Sequence, residues 1–114
     1  MAKYENHLTC SFVEAAAWLH QHILNSSVSA NLEEESAWQQ NGVQCVTRVY
    51  ERYSWLGGNR LSLTLTLFGR DGDICLSAIT AGGSQALFFK INTFGESSFL
   101  DVLIRGVEQL KRNS

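Results

Sequence analysis

Residues 60–68 constrain this chain most: Leu61, Leu63, Leu65 and Leu67 alternate with Ser62, Thr64, Thr66 and Phe68. Side chains two apart share a face of a strand, so this segment must lay one aliphatic face on a core. Asp71-Gly72 follows and reads as a two-residue turn with positive φ at both positions. Residue numbers summing to 143 then pair: Leu67 with Leu76, Leu65 with Ala78 and Leu63 with Thr80 inside, Phe68 with Cys75 and Thr66 with Ser77 outside. An antiparallel hairpin with a covered and an open face is the nucleus around which the remaining elements must be arranged.

Asn41-Gly42 carries the same turn signal between period-two segments at 28–38 and 43–55. Its register pairs numbers summing to 83, so Trp38 opposes Cys45, Glu35 opposes Arg48, Glu33 opposes Tyr50 and Asn31 opposes Arg52. An acidic run thereby meets basic residues across the pair. Residues 3–10 alternate Tyr4, Leu8 and Cys10 with Lys3, Glu5, His7 and Thr9 and form a further strand, its pattern broken at Asn6. Ser11-Phe12-Val13-Glu14 is a capping box that opens a helix running to about Asn25, with Phe12, Ala15, Ala16, Leu19, Ile23 and Leu24 at helical spacing. Gly82-Gly83-Ser84 turns the chain toward a sixth strand at 86–92. A second helix starts at Ser98 as N-cap with Asp101 in its first turn. Its stripe is Phe99, Val102, Leu103, Val107 and Leu110, and Gly106 permits close approach to the sheet.

The expected architecture is α+β, a single domain over 1–114. A curved antiparallel sheet of five to six strands runs in the order strand, helix, four or five strands, helix, with both helices on one face. This order resembles the TATA-box-binding-protein-like fold (strand, helix, four strands, helix) and the helix-grip fold of the Bet v 1 and START-related ligand carriers, which has more strands. It is also similar to small bacterial families of unknown function. The resemblance covers the whole chain through topology and carries no functional residue with it, because a fold hosts many functions. The central strands lack the repeat symmetry and basic face of a DNA-binding saddle.

Charge and motifs exclude more than they include. Nine Lys and Arg against eleven Asp and Glu give a net charge of −2, no field to gather phosphates, and nucleic acid is disfavoured as a partner. The chain has neither a membrane span nor the apolar stretch of a signal peptide, so a soluble cytoplasmic protein is expected. Cys10, Cys45 and Cys75 form no C-x-x-C pair and read as reduced, mostly buried thiols. His20 and His22, two apart on a helix, point about 200° apart and cannot chelate together. His7 falls on a polar strand face. No metal site and no cofactor are expected, and no nucleophile or phosphate-loop motif occurs. Trp55-Leu56-Gly57-Gly58-Asn59 reads as a hairpin loop whose Trp55 and Leu56 offer a contact surface.

With that register, Glu34 and Glu51 project inward as diagonal neighbours, alongside Ser36, Thr47, Tyr53 and Thr80. Arg48, Tyr50, Arg52, Thr64, Thr66, Phe68 and Ile79 face out. Trp38, Tyr53, Glu34 and Glu51 are therefore the candidate ligand-binding residues, lining a groove between sheet and helices. Two functions follow: a non-enzymatic module that binds a small apolar ligand in that groove or self-associates as a homodimer, or a small enzyme with Glu34 or Glu51 as general acid or base.

Overall fold

The computed structural model describes residues 1–54, 59–82 and 89–113. The elements are β1 (Ala2–Leu8), α1 (Phe12–Leu24), β2 (Asn31–Gln40), β3 (Val43–Ser54), β4 (Asn59–Arg70), β5 (Asp73–Gly82) and α2 (Phe89–Arg112). All five strands join one antiparallel sheet in the order β1-β5-β4-β3-β2. Every expected pair of the β4–β5 hairpin is present, from Leu67 with Leu76 to Leu63 with Thr80. Leu61, Leu63, Leu65, Leu67, Ile74, Leu76, Ala78 and Thr80 are all buried. The Thr80 hydroxyl is accommodated there by donating to the Ala2 carbonyl at 3.5 Å.

Both helices pack on this aliphatic face. Ser11 caps α1, its hydroxyl accepting from the Glu14 amide at 3.0 Å. The β4–β5 turn supplies a second cap from across the molecule, because the Asp71 carboxylate accepts from the Phe12 amide at 2.8 Å. Phe12, Ala15, Ala16, Leu19 and Ile23 go under, as do Phe99, Leu103, Val107 and Leu110 of α2. Asn6 breaks the alternation of β1 because it is a polar hub: it donates to the Tyr4 hydroxyl at 2.6 Å and accepts from Lys111 at 3.1 Å.

Several expectations are corrected. Helix α2 is already running at Phe89, so residues 89–92 are helical and not a strand; residues 83–88 of the expected turn and sixth strand lie outside the described residues. Ser98 is inside the helix, and its hydroxyl accepts from Arg52 instead of capping, at 3.2 Å. Asp101 is accordingly not in the first turn. The close approach at Gly106 is to α1 and not to the sheet: a Cβ there would lie 2.7 Å from His22 Cδ2, and the Gly106 carbonyl accepts from Trp18 Nε1 at 3.0 Å. In the β2–β3 hairpin, Asn41 and Gly42 have φ of 54° and 80° as the turn requires. Beyond Glu34, however, the register shifts at a bulge, so Leu32 opposes Tyr50 and Asn31 opposes Glu51. At the other turn only Gly72 has positive φ, not Asp71.

The largest correction concerns which way β3 faces. Leu61, Leu63, Leu65 and Leu67 pair with Arg52, Tyr50, Arg48 and Val46. Directly paired residues share a face, so both arginines and Tyr50 point inward. Glu51, Tyr53 and Thr47 point outward, with Glu34, Ser36 and Trp38 on β2.

Candidate functional site

Among the described residues, side chains occupy the space where the groove is expected between sheet and helices. Tyr50, fully buried, and the leucines of β4 occupy it with Phe12, Leu19 and Phe99. Trp38 is 75% exposed and Tyr53 57% exposed on the opposite face. They do not converge: Trp38 pairs with Cys45, eight positions along β3 from Tyr53, about 26 Å at ~3.3 Å per residue. Glu34 is exposed, while Glu51 is tied to Arg60, whose guanidinium also stands over the Tyr53 ring. The two glutamates share the open face of the sheet, not a dry groove.

What the inward turn of β3 builds instead is a polar corner at the edge of the core. Arg48 donates to the Glu35 carboxylate at 2.5 Å and to the Ala16 carbonyl at 2.7 Å, fastening α1 to the sheet. The Tyr50 hydroxyl and His20 Nδ1 are 2.8 Å apart. Burial alone lowers the Arg48 pKa, but the bond to Glu35 and the neighbouring Tyr50 outweigh it and hold the guanidinium charged. Burial raises Tyr50 against the pull of Arg48, and burial followed by Arg48 lowers His20. Tyr50 is therefore bonded to an imidazole that favours its neutral form. His22 also bonds structurally, to the Val102 carbonyl at 3.0 Å. Both helix histidines thus serve to join α1 to its neighbours. Arg52, its pKa lowered by burial, stacks 4.4 Å over the Phe99 ring. Arg48 and Arg52 are thus turned inward, away from the outer face expected to carry them.

The open face is ordered in rows that cross the sheet. Successive strand pairs link Trp38, Cys45, Phe68, Cys75 and His7 in one line. The neighbouring line is Ser36, Thr47, Thr66, Ser77 and Glu5, with the Thr47 and Thr66 hydroxyls 3.4 Å apart. Where the two lines cross β4, β5 and β1 there is a shallow depression of about 500 Å³, lined by Glu5, His7, Thr66, Phe68, Cys75 and Ser77. A smaller one of about 180 Å³ adjoins it, sharing Phe68 and Cys75 and reaching Arg70 and Asp73. None of the three cysteines is buried: Cys75 is exposed, and Cys10 and Cys45 are half-buried. His7 Nε2 lies 2.6 Å from the Asp73 carboxylate. Among the described residues no group of three or more His, Cys, Asp or Glu is placed to hold a metal, and no helix is long and apolar enough to cross a membrane.

The sequence matches a family of unknown function, DUF6054, over residues 1–111. The chain belongs to the DUF6054 family. No curated protein and no solved structure matches this DUF6054 chain. Of the dish residues, Phe68 opposite Cys75 follows from the 143 register alone. His7 and Glu5 arrive only through the β1–β5 pairing, which joins the first strand to the last and leaves no local trace in the sequence.

Proposed function

We propose that this DUF6054 protein is a small non-enzymatic binding module that seats a small, mainly apolar ligand in the dish on the outer face of its sheet. The observation that carries this reading is the 500 Å³ depression itself: an apolar floor at Phe68 with a few polar groups, Glu5, His7, Thr66 and Ser77, converging on it. That size and mixture of linings are those of ligand sites generally. The five strands and their order, strand, helix, four strands, helix, support the TATA-box-binding-protein-like resemblance over the helix-grip one. Three free cysteines fit a reducing, cytoplasmic setting.

Titration with a naphthalene sulfonate dye tests the reading. Saturable fluorescence enhancement that Phe68→Ala abolishes and Trp38→Ala leaves intact supports it. No saturable binding, or binding indifferent to Phe68, overturns it. A second reading, a homodimer through the same face, is favoured by Trp38, 75% exposed on the edge strand β2. A mass that doubles with concentration in light scattering, and falls back in Trp38→Ala, would establish it.

A further inference from the structure

We infer that Cys75 is a capture thiol, which takes a small disulfide from solution as a mixed disulfide, with His7 as its base; the inference rests on the dish being the ligand site. His7 and Cys75 are direct cross-strand partners on the outer face, and such pairs hold their Cβ atoms about 4.5–5.5 Å apart. Asp73 is two residues from Cys75 on the same strand and face, and its carboxylate holds His7 Nε2 at 2.6 Å. That leaves Nδ1 for the thiol. The carboxylate orients the imidazole, and the thiol stands opposite it across the strand pair, where a side-chain rotation brings Nδ1 to the sulfur, the arrangement that activates a thiol.

Neither other cysteine has this company. Cys45 is flanked across the sheet by Trp38 and Phe68. Cys10 has its pKa raised by burial, and Glu14 and Asp71 push it the same way. Around Cys75 stand Glu5 and His7 from β1, Asp73 from β5 and Arg70 from β4. The two depressions meet at Cys75 and Phe68, so a captured group has room on both sides. Arg70 is placed to take a carboxylate of the ligand in the smaller one.

The step balances without an added oxidant. Cys75 gives its proton to His7, and the thiolate attacks one sulfur of the disulfide. The new sulfur–sulfur bond forms as the old one breaks, and the departing thiolate recovers the proton from His7. Cys75 is oxidised and the leaving half is reduced. Cys45 cannot resolve the adduct. It lies two strands away, a Cα separation of about 9.6 Å at ~4.8 Å per strand, beyond the ~7 Å limit of a disulfide, and Phe68 stands between. The captured group stays until an external thiol removes it, so the site holds and does not turn over.

Incubation with oxidised glutathione, read by intact mass and peptide mapping, is the test. One adduct should form at Cys75, about tenfold faster than at Cys10 or Cys45. His7→Asn, and His7→Gln as a second variant, should each bring Cys75 down to the other two, in a protein whose circular dichroism is unchanged and whose Cys10 and Cys45 react at their former rates. Similar rates at all three cysteines, or selectivity indifferent to His7, would overturn the inference. Dye binding separates the two failures: if it persists in Cys75→Ser while selectivity is absent, the capture is wrong and the dish stands. If the wild-type protein binds no dye, the dish falls and the capture with it.

Discussion

The β4–β5 and β2–β3 hairpins are both closed by a two-residue turn ending in glycine, yet they turn very different residues toward the helices. The first puts Leu61, Leu63, Leu65, Leu67, Ile74, Leu76 and Ala78 inside, every one buried. The second presents Leu32, Glu35 and Ala37 from β2 with Val46, Arg48, Tyr50 and Arg52 from β3, and among these only Tyr50 is buried. One hairpin is thus held by burial, the other by specific polar bonds at its junction with α1 and α2. The difference decides what the outer face displays. The arginines that would have charged it are used inside, leaving Cys, Thr, Ser, Val, Ile and Phe on its central strands between Phe68 and Thr64.

The sharpest way to break this contrast is a matched pair of truncations. Leu63→Ala, at a fully buried site, should cost about 2–5 kcal/mol in urea unfolding. Val46→Ala, half-buried on the second hairpin, should cost under about 1.5 kcal/mol. Equal losses would mean that the two hairpins share one aliphatic core after all.

Tyr50→Phe probes the polar corner. It leaves His20 Nδ1 without its hydroxyl partner and should cost about 1–2 kcal/mol. The same corner makes stability depend on pH. Since the folded-state pKa of His20 lies below its ordinary 6.5, acid below 6.5 protonates the unfolded chain first. Stability should therefore fall as pH drops from 6.5 toward the folded value, and the loss should be complete below it. His20→Gln should flatten that part of a urea-midpoint series; an unchanged slope would show that another group titrates there.

The legibility of the fold follows the same division. Where hydrophobic and polar residues alternate cleanly, as at 60–68, sequence dictates face and partner, and the 143 register holds throughout. In β3 neither parity is purely apolar: Val46, Arg48, Tyr50 and Arg52 on one side compare with Cys45, Thr47, Val49, Glu51 and Tyr53 on the other. The face is then decided by the connection to β4. Ser54 pairs with Asn59 across four residues, 55–58, and that even spacing sets Arg48 beside Leu65. Residues 55–58, with the Trp55 and Leu56 contact surface expected of them, lie outside the described residues. Trp38, Tyr53, Glu34 and Glu51 stand on the other face for this one reason. The β1 side of the dish was illegible because a pairing between the first and fifth strands depends on strand order, which only tertiary packing fixes.

The smallest effect expected is also the one that best separates the two faces. Phe68 is 52% exposed, so Phe68→Ala should change stability by no more than about 0.5 kcal/mol while removing dye binding. A loss of several kcal/mol would place Phe68 in a core the structure does not have.

The central claim, that the outer face of the sheet and not the helix-covered face receives the ligand, is tested most directly by titrating the dye into nitrogen-15-labelled protein and mapping amide shifts. The account predicts perturbations gathered at Glu5, Asn6 and His7, at Thr66 and Phe68, and at Cys75 and Ser77. Perturbations gathered instead on Leu19, Tyr50 and Leu103, beneath the helices, would contradict it.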